Sequence, residues 1–150
     1  MTMQKLCWEA DNKHREWDDV ALLLVNLPDV VAETMLMQLD GDYKETPLFI
    51  ACNSAPLDVI QLLLSIAPDA AKPKNADGWT PLHVAVLTNN KKTSAAIIRA
   101  LPETFSIRDD DRITPFGYAS SDYMRILIMD SLLLSCCDGK YADAEVLNVR

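Results

Sequence analysis

The sequence predicts an all-α solenoid of about four helix-turn-helix units joined by extended fingers, and three observations carry that expectation. Thr46-Pro47-Leu48-Phe49-Ile50-Ala51, Thr80-Pro81-Leu82-His83-Val84-Ala85 and Thr114-Pro115-Phe116-Gly117-Tyr118-Ala119 are variants of one phrase spaced 34 residues apart. Apolar runs at Val59–Leu64 and Ala96–Ile98 repeat in step with the first two phrases, and each is followed by a proline, Pro68 or Pro102. Each phrase opens with a threonine, whose hydroxyl caps a helix N-terminus, and a proline, whose fixed φ suits the first helical position. Self-similarity at such a period marks an array whose units bury their apolar faces only against their neighbours.

The first unit, residues 4–37, is degenerate. Leu22-Leu23-Leu24 with Pro28-Asp29-Val30 matches the outer helix of the second unit at a displacement of 40, and Leu6-Cys7-Trp8-Glu9-Ala10 stands where an inner helix belongs. No Thr-Pro opens it, and charged residues from Asp11 to Asp19 fill its turn and faces, as suits an N-terminal cap with one polar side. Six extra residues fall in Val31–Gly41, so the first finger is expected to be longer than the others.

The second and third units, residues 38–71 and 72–105, read as an inner helix, a turn and an outer helix that Pro68 or Pro102 stops, since proline cannot continue the hydrogen-bond ladder. In the fourth, residues 106–137, Asp122–Ile128 aligns with Asp58–Leu64 at an offset of 64 where the inner helices give 68, so its inter-helix turn is about four residues shorter. Its second helix must therefore sit differently. Leu132–Cys137 is more apolar than a solvent-facing end should be. Two readings stay open: it packs beneath the tail, residues 138–150, or the array continues and this chain is a fragment.

The middle phrase matches T-P-L-H-x-A, and by motif and period together the chain resembles the ankyrin-repeat family from about residue 4 to about residue 137. The resemblance implies a non-catalytic protein-interaction array over residues 1–137, with ligands on the concave side formed by finger tips and inner helices. It implies that His83 is a structural hydrogen-bonding residue tying neighbouring units, a ladder broken by Phe49 and Gly117 in the flanking repeats. It also implies that the family's turn glycine survives only as Gly78. Lys44 and Arg112 stand in the equivalent places, where a left-handed conformation costs a residue with a Cβ about 1 kcal/mol or more, which favours another turn there.

Carried onto this sequence, the ligand-facing positions are Asp42, Tyr43, Glu45, Asn53 and Ser54 around the second repeat. Around the third they are Ala76, Asp77, Trp79, Leu87 and Thr88; around the fourth, Asp110, Asp111, Ile113, Ser121 and Asp122. Trp79 follows Asp77-Gly78 and precedes Thr80, so its side chain is expected to project from the finger, with Tyr43 and Ile113 beside it as an anchor row. The competing reading makes Trp79 a staple between fingers. Trp8 and Trp17 belong to the first helix pair, as core or cap.

Composition narrows the function further. A formal charge of −8 repels phosphate backbones, so nucleic acid is not an expected partner; the expected partner is another protein with a basic or amphipathic segment. Arg125 and Asp130 interrupt Met124–Cys137, so no membrane span is expected. Met1–Lys5 lacks the apolar core of a signal peptide, and Cys7 and Cys52 fall where the repeat wants small apolar residues; buried free thiols in a reducing cytoplasmic or nuclear compartment are expected. Cys136-Cys137 has the wrong spacing for zinc. The four glycines are scattered, so there is no phosphate loop, and Asp109-Asp110-Asp111 reads as a solvated turn. No catalytic residue, metal or cofactor is expected, and the chain should be a monomer unless Leu132–Cys137 is exposed. The competing functional reading is a segment of a larger signalling, channel or enzyme chain, packing intramolecularly.

Overall fold

The computed structural model describes residues 2–13, 17–39 and 42–137; the expected tail and its 13 residues lie outside them. The helices are α1 (Met3–Lys13), α2 (Trp17–Asn26), α3 (Asp29–Met37), α4 (Pro47–Ser54), α5 (Leu57–Ile66), α6 (Pro81–Leu87), α7 (Lys91–Ala100) and α8 (Asp122–Cys137). Short 3₁₀ turns occupy Pro68–Ala71, Pro102–Ser106 and Pro115–Tyr118. Two rows stack side by side. The inner row runs α1, α4, α6 and the Pro115–Tyr118 turn; the outer row runs α2, α5, α7 and α8.

Thr46 and Thr80 open their helices by the expected chemistry. The Thr46 hydroxyl accepts the Phe49 amide at 3.2 Å and donates to the Ala70 carbonyl at 3.3 Å, so one side chain caps α4 and binds the end of its own repeat. Thr80 and His83 form a reciprocal capping box at α6. Because α4 lies between two neighbours and the outer row, Pro47 through Cys52 are all buried, and no amphipathic face survives. Ala51, Ala85 and Ala119 recur at the repeat period and are buried, letting successive inner elements approach closely. Leu48, Ile60 and Leu63 of the second repeat and Leu82, Ile97 and Ile98 of the third fill the space between the rows, with Met124 and Ile128 continuing it under α8. Cys7 and Cys52 are buried free thiols; burial alone pushes the Cys7 thiol up to about 12 and raises Cys52 as well, which leaves both protonated and unreactive.

Four expectations need correction. The extra residues after the first unit do not lengthen a finger: they extend into α3, whose Ala32 and Leu36 are buried and which packs on α4, α5 and the Pro68–Ala71 turn. Helix resumes directly after Pro28, which stands at the N-cap with ψ 140°, and Asp29 places a carboxylate in the first turn, where the helix dipole favours it. Thr114 opens a single 3₁₀ turn, with Gly117 donating to Thr114 at 2.8 Å and Ala119 to Phe116 at 3.1 Å. Gly117 weakens an α-helix by about 1 kcal/mol relative to alanine, and the shortened link leaves no length for a second turn. Third, Lys44 and Arg112 keep the glycine-type turn, at φ 54° and 64° beside 80° for Gly78. Last, Asp109 is buried, not solvated.

Trp17 is buried and Trp8 exposed, so the first pair divides its tryptophans between core and surface. In α8, Leu132 is buried while Leu133 and Leu134 are half exposed. Two of the left-handed finger positions, Gly78 and Lys44, are expected to respond oppositely to substitution. Gly78→Ala places a Cβ 2.4 Å from the Asp110 carboxylate and 2.7 Å from its backbone nitrogen at positive φ, and should lower stability by more than about 1 kcal/mol. Lys44→Gly removes a Cβ from a strained φ and should gain up to about 1 kcal/mol, reduced by the added freedom of the unfolded chain. Urea unfolding of the two variants checks the opposite signs.

Candidate partner-binding surface

Two fingers share three closing contacts, one repeat apart, and the first adds a fourth. The Asn75 amide donates to the Trp79 carbonyl at 2.9 Å, and the Asn75 side-chain oxygen accepts from Asp77 and Trp79 at 3.0 and 2.9 Å. In the next finger the Asp109 amide donates to Ile113 at 2.9 Å, and the Asp109 Oδ1 accepts the Ile113 amide at 2.8 Å. The left-handed residue completes each turn, Gly78 donating to Asn75 and Arg112 to Asp109, both at 3.1 Å. Short polar side chains hold the backbone of a turn in this way without needing glycine. This closure compensates the strain at Arg112.

The fingers are then tied to one another. Tyr43 accepts the Ala76 amide at 2.8 Å through its carbonyl, joining the first two tips, and Gly78 lies directly against Asp110, joining the next two. Behind them, His83 is completely buried. Its Nδ1 accepts the Thr80 amide at 3.1 Å, which leaves the proton on Nε2 to donate to the Ile113 carbonyl at 3.2 Å. Burial holds the imidazole below its ordinary value, partly offset by the Ile113 hydrogen bond and the Asp109 charge. The Tyr118 hydroxyl donates to Asp109 Oδ2 at 2.5 Å. Burial raises the Asp109 carboxyl, but the Tyr118 and Ile113 hydrogen bonds outweigh it and set it below the usual range; the same bond raises Tyr118.

Trp79 joins this cluster. It is half buried, packs on the core, and its ring lies 5.5 Å from that of Tyr118 at 56°, with His83 edge-on to the same tyrosine at 5.9 Å. A ring so placed staples two repeats and presents only part of its surface. The other expected site residues divide by position. Asp42, Tyr43, Ala76, Asp77, Asp110, Asp111 and Ile113 lie exposed on the tied fingers, and Glu45 is half buried at the base of the first. Asn53 and Ser54 end α4, Leu87 ends α6, and Thr88 follows it with its hydroxyl on the Val84 carbonyl at 2.9 Å. Ser121 and Asp122 are elsewhere: Ser121 Oγ caps the Met124 amide at 3.1 Å and Asp122 begins α8, so neither continues the row of inner-helix ends. Tyr43 and Leu87 are the most open large apolar members of the set, at 66% and 47%.

The surroundings are mixed in charge. Lys44, Lys74 and Arg112 stand among the acidic tips, and Lys74 lies 3.9 Å from Asp110. Among the described residues no group of three histidine, cysteine or acidic side chains is arranged to hold a metal ion, and no helix is long and apolar enough to cross a membrane. Asp109 and Tyr118 were not among the expected site residues. The repeat period would have revealed Asp109, which is Asn75 displaced by one unit.

The family model for ankyrin repeats, in three copies, matches residues 6–101. No curated protein matches the chain.

His83 and Asp109 lose their contributions in separate pH windows. The imidazole stays neutral in the fold while the unfolded chain takes up a proton at about the ordinary 6.5, so its contribution is complete above that value and declines as pH falls below it. The carboxyl of Asp109, lowered in the fold, keeps its contribution above 3.8 and loses it only in stronger acid. Thermal melts should therefore show native stability falling between pH 7 and pH 5, and His83→Gln should flatten that segment while leaving the acid limb. His83→Ala, which leaves the Thr80 amide and Ile113 carbonyl unpaired around a cavity, should cost about 2–4 kcal/mol.

Proposed function

We propose, from the premise that this chain belongs to the ankyrin-repeat family, that it is a non-catalytic module binding a protein partner along its finger tips and the adjacent ends of its inner helices. Ankyrin repeats are generally protein-interaction modules. The observation that carries this reading is the line of exposed apolar side chains, Tyr43, Ile113 and Leu87, on backbone that hydrogen bonds already hold in place. A prefolded strip loses little conformational freedom when occupied, so a few apolar contacts suffice for specificity. Trp79 contributes its exposed edge and, through Tyr118, keeps two fingers in register.

The array in this reading covers residues 1–137, in repeats 4–37, 38–71, 72–105 and 106–137. Asp42, Asp77, Asp110 and Asp111 favour a partner segment with basic as well as apolar residues, which gains association rate from the acidic tips. Asn53, Ser54, Thr88 and Glu45 border the same strip. The unpaired, buried Cys7 and Cys52 support a reducing compartment.

The test begins by capturing a partner from native extract and measuring its affinity by calorimetry. Tyr43→Ala combined with Leu87→Ala should weaken binding at least about tenfold, or about 1.4 kcal/mol, without changing the melting temperature, because both side chains are exposed. Undiminished affinity in that variant and in Tyr43→Ala with Trp79→Ala removes the proposal.

A further inference from the structure

The outer row carries a second surface unlike the first. Between α5, α7 and α8 lies an open groove of about 770 Å³, floored by Leu57, Leu64, Ala96 and Leu127. A smaller extension of about 300 Å³ continues from it along α7 and α8 and shares Ala95, Arg99, Tyr123 and Leu127 with it. Regular packing would place side chains here. Between the longer side chains of Lys91, Lys92 and Arg99, α7 contributes only the small side chains of Ala95, Ala96 and Ala100 to the lining, which leaves the groove open.

Its rim is cationic in a chain whose net charge is −8. Lys91, Ala95 and Arg99 fall four residues apart on one face of α7, and Lys92 borders the same groove. The Lys91 ammonium sits 3.9 Å above the Tyr123 ring, while Lys92 and Arg99 form no ion pair among the described residues. Of the residues lining the groove and its extension, Asp130 alone is negative, at the far end. Three cations beside an apolar floor are complementary to one kind of occupant.

We propose that this groove binds an acidic amphipathic helix of a partner protein, its apolar face on the Leu57–Leu64–Ala96–Leu127 floor and its carboxylates on Lys91, Lys92 and Arg99. An apolar helix face laid into a groove with charges along one border is an established recognition mode. The groove is independent of the finger surface and of opposite charge preference, so the two can be occupied together. Tyr123 closes the groove at the α8 side, and its ring, held by Lys91, is an anchoring contact.

The experiment uses the full chain and a fluorescein-labelled synthetic peptide of about 14 residues, roughly 21 Å as a helix, with leucines at helical spacing and glutamates beside them. A second peptide carries lysine at every glutamate. The acidic peptide should bind saturably by anisotropy and the basic one should not. Lys92→Glu with Arg99→Glu should weaken the acidic peptide at least about tenfold, and Ala95→Tyr, which fills the groove without altering charge, should do the same. Circular dichroism melts confirm that both variants fold. Tyr43→Ala with Leu87→Ala should leave this affinity unchanged, which separates the result from the finger surface. Equal binding of the two peptides, no saturable binding, or insensitivity to both groove variants overturns the proposal. So does binding of phosphatidylglycerol vesicles in place of the peptide, or self-association of the chain that Ala95→Tyr abolishes.

Discussion

One buried imidazole joins the third repeat to the fourth. His83 takes the Thr80 amide on one nitrogen and gives its proton to the Ile113 carbonyl with the other, so a single ring serves a helix start in one layer and a finger in the next. That bridge matters because the fourth layer lacks an inner α-helix and offers only a 3₁₀ turn to pack on α6. Asp109 and Tyr118 complete the junction, closing the finger whose carbonyl His83 holds and seating Trp79 against its neighbour. Removing the His83 ring strands the buried Thr80 amide, where an unmade hydrogen bond costs more than the made one contributes.

Much of this was legible in the chain, because the chemistry of a helix start is local. A threonine followed by proline announces itself, and its recurrence at Thr46, Thr80 and Thr114 exposed the layering without any knowledge of packing. What escaped was decided by contacts between segments distant in sequence. Lys44 and Arg112 were expected to abandon the glycine turn on grounds of backbone strain, yet the side chain of Asp109 and the neighbouring tip supply enough bonds to retain it. The run Asp109-Asp110-Asp111 looked uniformly solvated; only the repeat register distinguishes Asp109, which replaces Asn75, from its two exposed neighbours. Residues after Pro28 carry no finger signal and form α3 instead, because Ala32 and Leu36 find a buried place there.

The two surfaces differ in origin. Finger residues are displayed by a framework that repeats, so their places could be proposed from period and resemblance. The groove between α5, α7 and α8 is lined from three helices of different repeats, and no motif encodes it. Its cations lie on α7, where their spacing reads as an ordinary solvated helix face until the apolar floor beside them is seen.

The 3₁₀ turn at Pro115–Tyr118 leaves the ladder of inner elements thinnest at one rung. In a linear stack each rung is supported only by those touching it, and cooperativity decays along the stack as it would in a row of coupled spins. The last layer therefore leans on the outer row, since α8 is held chiefly by α7 and little by the inner rung beneath it.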